Sequence, residues 1–341
     1  MKNGIGKRIS LAFLLGLILL LASSCVYVSG CGWDQMAKYE RQVELSAPLE
    51  PGSTLSAATR DGSITLEGTQ STECRLLATI RTRAASEEKA QELNEQIDVA
   101  LEAAGDTLKL VIDKPAVIRN ASYGVSLEGT VPARTNLTLT TSDGSVHLAN
   151  IEGVIDARTS DGSIQAEGIK GDTKLKTSDG RIQCARIEAG TVDLRTSDGS
   201  VKLEDATATS CTARTSDGSI TLADVRTDSL ALHTSDGSVR CRDIAMNRLE
   251  CRTSDGSVHI TCAPDAPTVI DGTVSTSDGS ITFAAPQGLS AVVEASTDDG
   301  SIRTGMPITV EGKVDKSLRG TIGAGEGRLV LKTHDGSITI E

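Results

Sequence analysis

Residues 196–220 read TSDGSVKLEDATATSCTARTSDGSI, so the block TSDGS closes one unit and returns nineteen residues later. With small changes the block recurs along the chain. Its aspartates are Asp61, Asp143, Asp161, Asp179, Asp198, Asp217, Asp236, Asp255, Asp278, Asp299 and Asp335. From Asp143 onward the steps are 18, 18, 19, 19, 19, 19, 23, 21 and 36 residues. When the copies are aligned on Asp, Thr stands two positions before it in all eleven, and Ile or Val stands three positions after it. Positions four and six before the Asp are mostly apolar, as in Val192 and Leu194 or Leu230 and Leu232. Polar residues such as Lys202, Thr221 and Arg240 fall between the apolar columns. The period is two, which is that of a strand.

Each unit is therefore two short strands around Asp-Gly. A further apolar column stands eight after the Asp (Ile151, Ile169, Ile187, Ala206, Val225, Ile244). About 19 residues cannot hold a strand, a crossover helix and a return strand. They suit one coil of an all-β parallel β-helix or solenoid, whose rungs repeat every ~4.8 Å. A single coil cannot bury its apolar face, but a stack can. Roughly 1.5–3 kcal/mol for each inward side chain offsets the entropy of ordering the coil. No proline lies between Pro132 and Pro264, as unbroken pairing requires. Asp-Gly is also a hairpin signal. A hairpin meander, however, has no need of a nineteen-residue period with identical residues in register. In the turn, Gly is expected to supply positive φ and Asp to bond the amides two residues on. The Thr shares parity with the apolar columns, so it is expected to point inward and bond its neighbours.

The first two copies are 82 residues apart. Between them the pattern predicts a strand at 74–82, a helix at 87–103, and strands near 107–112 and 123–131. Ser86 reads as the helix N-cap and Gly105 as its stop, with Leu93, Ile97, Leu101 and Ala104 as the buried stripe. The expected organisation is a signal segment at 1–30, a tether at 31–50, an N-terminal capping coil at 51–136 and the repeat domain at 137–341. Residues 303–332 are expected to form the opposite cap, since open ends of a stack expose strand edges.

Residues 1–8 carry Lys2, Lys7 and Arg8, and the apolar run LAFLLGLILLL follows at 11–21. This reads as a secretory signal. The sequence Val28-Ser29-Gly30-Cys31 resembles a bacterial lipobox, with Cys25 as the alternative lipid-bearing cysteine. Lipidation there would anchor the chain in the outer membrane or on the outer face of the cell membrane. The competing reading is an uncleaved membrane helix.

The TSDGSI/V units, the segment SEEKAQELNEQIDVALEAAGDTLKL and the closing GTIGAGEGRLVLKTHDGSITIE together resemble the bacterial putative-adhesin family of β-helical domains. The resemblance covers roughly residues 50–341. It implies an exported or membrane-linked protein and brings no catalytic motif. The chain departs from the plain repeat at Arg181, which replaces a Ser, and at Asp298 and His334, each in place of the Ser before Asp.

The chain has 34 Lys and Arg against 46 Asp and Glu, a net charge of −12. That balance disfavours nucleic acid, and so do the few aromatic residues: one Trp, three Tyr and two Phe. Each turn offers calcium one carboxylate, whereas calcium takes six to eight oxygens, so a turn-forming role is expected for the Asp ladder. A calcium-stabilised repeat is the alternative. His147 and His259 fall in equivalent outward columns, too far apart to share a metal. The inner cysteines read as small apolar residues, or as holding a disulfide among Cys241, Cys251 and Cys262. No cofactor is expected. The function expected is a non-catalytic, envelope-anchored scaffold or binder that presents its Asp/Ser/Thr edge to a glycan or protein. A β-helical polysaccharide-active enzyme is the alternative, with Asp298 and Asp299 as its best carboxylate pair.

Overall fold

A computed structural model describes residues 22–23, 36–310 and 315–341. The segment expected as a signal, and the candidate lipid-bearing Cys25 and Cys31, lie outside the described side chains. The remainder is a nearly all-β solenoid of parallel coils with one helix.

Its repeating element is clearest in the middle. Strands Ile182–Arg195, Val201–Arg214, Ile220–His233 and Val239–Arg252 each span 14 residues and pair in parallel, each with the next. Val201, Ile220 and Val239 are register partners in succession, and all are buried. Within one coil Ile182, Cys184, Ile187, Val192 and Leu194 are buried while the residues between them reach solvent. The pairing skips two residues in each coil, the first at Arg186, Asp205, Asp224 and Asp243 and the second at Gly190, Thr209, Asp228 and Asn247. The first four have φ near +55°, as does Asn150 at +58°. This second corner, seven residues after the turn Asp, bends the strand. Asn and Asp tolerate the left-handed region better than most side chains.

The turn Gly has a different reason from the one expected. No turn Gly has positive φ among the described residues. Instead, a Cβ on Gly218 would sit 1.9 Å from the carbonyl oxygen of Gly199, one coil away. The same collision recurs from Gly62 to Gly336, so the turn backbones stack too closely for any side chain.

At the N-terminal end Ile64–Thr69 pairs with Val146–Ala149, so the first two copies are adjacent despite the 82 residues between them. The intervening chain supplies Glu73–Ala84 and Ser122–Pro132, which form an antiparallel sheet with Ala37–Pro48 from before the first copy. Residues 37–48 are thus a strand of twelve paired residues and no tether. The helix spans Glu87–Glu95, capped by Ser86, and stops well short of 103. Asp98–Ala104 is a strand that pairs with Thr107–Asp113, and Gly105, with φ +65°, sits in the turn of that hairpin. Period-two burial of Ile97 and Val99 wins over the helical reading of Leu93, Ile97, Leu101 and Ala104. The helix buries Ala90 and Asn94. Asn94 ties it down: Nδ2 donates to Ile80 O at 2.9 Å, while Arg41 Nε donates to Asn94 Oδ1 at 3.1 Å.

At the C-terminal end the copies do not stack in chain order. Ile338–Ile340 lies between Ile281–Ala284 and Ile302–Thr304, and Gly327–Lys332 lies between Asp271–Ser275 and Ala291–Ser296. The copy around Asp335 is therefore inserted between those of Asp278 and Asp299. Of the segment expected as a cap, Ser317–Ile322 closes the end by running antiparallel to Ala291–Ser296, whereas Gly327–Lys332 is an inner rung. No described helix is long and apolar enough to cross a membrane.

Candidate functional site

The TSDGS corner begins with Thr. Thr215 is buried, and its hydroxyl lies 2.9 Å from both Ser197 O and Gly199 O of the preceding coil. The same oxygen accepts from Gly218 N at 3.2 Å. Thr159, Thr177, Thr196, Thr234, Thr253 and Thr276 repeat this arrangement. Ser197 O also accepts the amides of Ser216 and Asp217 at 2.8 and 3.0 Å. The inward Thr is thus a staple between consecutive turns, as its parity predicted.

All eleven turn aspartates are exposed, in one column along the corner. Among the described residues their carboxylates accept no amide two residues on, so the turn is held by Thr and backbone, and the Asp faces water. Asp61 has its pKa raised, first by partial burial and then by the Asp143 carboxylate one coil away. No group of three or more His, Cys, Asp or Glu among the described residues is placed to hold a metal. His147 and His259 are exposed and six register steps apart, ~29 Å at the rung spacing.

One cluster breaks the translation. Two of the three residues that replace the Ser before Asp, Asp298 and His334 (the third is Arg60), meet because the last copy is inserted. His334 Nδ1 is hydrogen-bonded to Asp298 Oδ2, and its Nε2 lies 3.5 Å from Asp335. The hydrogen bond with Asp298, then the charges of Asp335 and Asp298 and, more weakly, Asp299, raises the His334 pKa. In sequence the two residues are 36 apart, and period alone does not bring them together.

Cys74, Cys184, Cys211, Cys241, Cys251 and Cys262 are buried free thiols. Burial pushes the pKa of Cys211, Cys251 and Cys262 up to about 12 and that of Cys184 and Cys241 higher still. Cys241, Cys251 and Cys262 are thus the small apolar residues of the first reading, and the alternative disulfide among them is not formed in this structure.

Two outward features escaped the reading of the sequence. An open groove of about 530 Å³ follows the second corner, lined by Gly68, Asn150, Gly168, Arg186 and Asp205 and by Gln70, Glu152, Lys170, Glu188 and Thr207. The other feature is a column three residues before the Asp in six consecutive copies, Asp161 to Asp255: Arg158, Lys176, Arg195, Arg214, His233 and Arg252. These are register partners in unbroken succession. The column was available in the alignment on Asp, but attention to the apolar positions hides it.

Stacked coils, a carbonyl-and-Thr spine and exposed columns in register define a β-solenoid repeat protein. The chain belongs to the Toastrack DUF4097 family, whose model matches residues 167–341. No curated protein matches it. Among solved structures it is similar to a putative adhesin from Parabacteroides distasonis ATCC 8503, at 11% identity and TM-score 0.45, over 89% of this chain and 97% of that one. It is also similar to a putative adhesin from Parabacteroides merdae ATCC 43184, at 12% identity and TM-score 0.44, over 88% and 96%. A putative lipid binding protein from Parabacteroides distasonis ATCC 8503 is similar at 11% identity and TM-score 0.40, over 88% and 96%. Likenesses this loose carry no functional weight.

Proposed function

We propose that this protein is a non-catalytic binding scaffold of the bacterial envelope, exported as a lipoprotein on Cys31 and presenting its outward columns to an extracellular partner. The observation that carries the reading is the register. Turn aspartates, serines and the columns beside them repeat at the coil spacing along the whole stack. A surface that repeats by translation offers many equal weak contacts, which add by avidity. Catalysis asks for the reverse, one place unlike the rest with convergent acid and base groups. Anchoring rests on the basic start, the apolar run and the Val28-Ser29-Gly30-Cys31 sequence.

Two experiments test it. Globomycin treatment is expected to accumulate a precursor detected by gel shift, and unchanged processing contradicts the lipoprotein. In envelope fractions, in vivo crosslinking is expected to capture glycan or protein partners, and a glycan array is expected to show binding without turnover. Hydrolysis or elimination of any arrayed polysaccharide contradicts the scaffold reading.

A further inference from the structure

We propose that the face bearing Arg158, Lys176, Arg195, Arg214, His233 and Arg252 binds a linear acidic polysaccharide lying along the stack axis. This deepens the scaffold reading and rests on it. The chain as a whole carries −12, yet here six consecutive rungs place Arg, Lys or His at one position, five of them cationic, while partial burial and then the Arg214 charge lower the His233 pKa and leave that rung neutral. Five register steps make a straight column of ~24 Å at the rung spacing. Arg158, Arg195, Lys176 and Arg252 are exposed, and Arg214 and His233 are half-buried.

Three of the guanidinium groups are held by acids of their own strands. Arg158 pairs with Asp156 at 2.8 Å, Arg195 with Asp193 at 2.8 Å and Arg252 with Glu250 at 2.9 Å. The three arginine side chains are about half exposed or more, and a guanidinium carries five N–H donors, so each can receive a second carboxylate beside the first. Where the next two coils would carry such an acid they carry Thr212 and Ala231, and Lys176 has Lys174. Among the described residues neither Lys176 nor Arg214 has an ion-pair partner. The small side chains beside Arg214 and His233 leave room for a chain to lie against the strand.

The geometry selects among polyanions. An extended polypeptide returns a side chain to one side every ~6.8 Å, out of step with rungs ~4.8 Å apart. In an extended two-fold chain of pyranose units each sugar advances by about one rung and successive acidic groups alternate sides, so those on one side recur about every second rung, the spacing of Lys176, Arg214 and Arg252. Arginine receives a carboxylate through two parallel N–H donors. Single-stranded nucleic acid needs aromatic platforms on which bases stack. This face has none, since the described aromatic residues are Tyr39, Tyr123 and the buried Phe283.

The test measures binding of the full-length chain to immobilised polygalacturonate, which has one carboxylate per sugar. The comparison surfaces are its methyl-esterified form and polyuridylate. Wild type is expected to bind the acid form, weaken with added salt, and bind the ester and polyuridylate at least tenfold more weakly. K176E/R214E is expected to lose at least tenfold. The charge-matched K202E/R240E, on the strand after the turn, is expected to stay within twofold of wild type. Unchanged melting of both variants shows that the coils remain stacked. No binding by wild type overturns the proposal, as do equal losses in the two variants or equal binding of polyuridylate. Binding that is lost in K176E/R214E but accompanied by release of reducing ends supports the basic face while contradicting a non-catalytic scaffold.

Discussion

His334 and Asp298 are joined across the last two rungs, Nδ1 of the histidine to Oδ2 of the aspartate, although 36 residues separate them. Each replaces the serine that precedes the turn Asp in most other coils. Together with Asp299 and Asp335 they form an acidic setting around one imidazole. Protonation strengthens the contact, so the folded chain holds the proton more tightly than the unfolded one. The contribution is complete below the ordinary pKa of 6.5 and is lost as pH rises through the higher folded value. An NMR titration of His334 is expected to give a pKa above 6.5, returning toward it in Asp298→Asn. Indistinguishable titrations in the two proteins would refute the contact.

Glycine at the turn is set by backbone proximity. In Gly218→Ala the new methyl meets Gly199 O at 1.9 Å, and the backbones must part. We expect a loss of ~3 kcal/mol in urea unfolding, toward the upper end of overpacking costs. A change under about 0.5 kcal/mol, typical of exposed turns, would mean that the coils are not stacked this closely.

Threonine should matter through its hydroxyl rather than its shape. Thr215→Val keeps the branched side chain and removes the staple to Ser197 O, Gly199 O and Gly218 N. The expected cost is ~1–3 kcal/mol, the price of leaving buried polar groups unmet. Ser at the same position should retain most of the stability, and a Val variant as stable as wild type would contradict the role.

The inner thiols should be inert while the coils are intact. Burial keeps Cys184, Cys211, Cys241, Cys251 and Cys262 protonated at neutral pH, and the thiolate is the reactive form. With Cys25 and Cys31 replaced by Ser, a thiol reagent is expected to modify none of them natively and all of them in denaturant. Rapid native labelling at Cys241 would argue against a closed core.

Much of this architecture was legible because the chain repeats. Period-two columns mark the strands, and the parity of Thr alone places its hydroxyl inside. The helix boundary was harder. Ile97 and Leu101 satisfy both a helical stripe and a strand alternation, and only the partner strand Thr107–Asp113 decides between them. Residues 37–48 carry the alternation, with Ala37, Tyr39, Val43, Leu45 and Ala47 on one parity and only Arg41 breaking it, but they lie outside the nineteen-residue repeat, and the twelve pairs with Glu73–Ala84 give the strand its place. Insertion of the last copy is a long-range choice that no local pattern encodes. Without it the His334–Asp298 contact could not be foreseen. The basic column was present in the letters but lies between the apolar positions on which the alignment was read.

Spin-label distances along one outward column test the stack most directly. Gln165, Arg240 and His259 occupy the same position in different coils, with Gln165 four register steps from Arg240 and five from His259. With Cys25 and Cys31 replaced, cysteine pairs at 165/240 and 165/259 should give mean separations of ~19 and ~24 Å, rising by one rung. Equal distances, or a shorter one for the more distant pair, would contradict a single column of stacked coils.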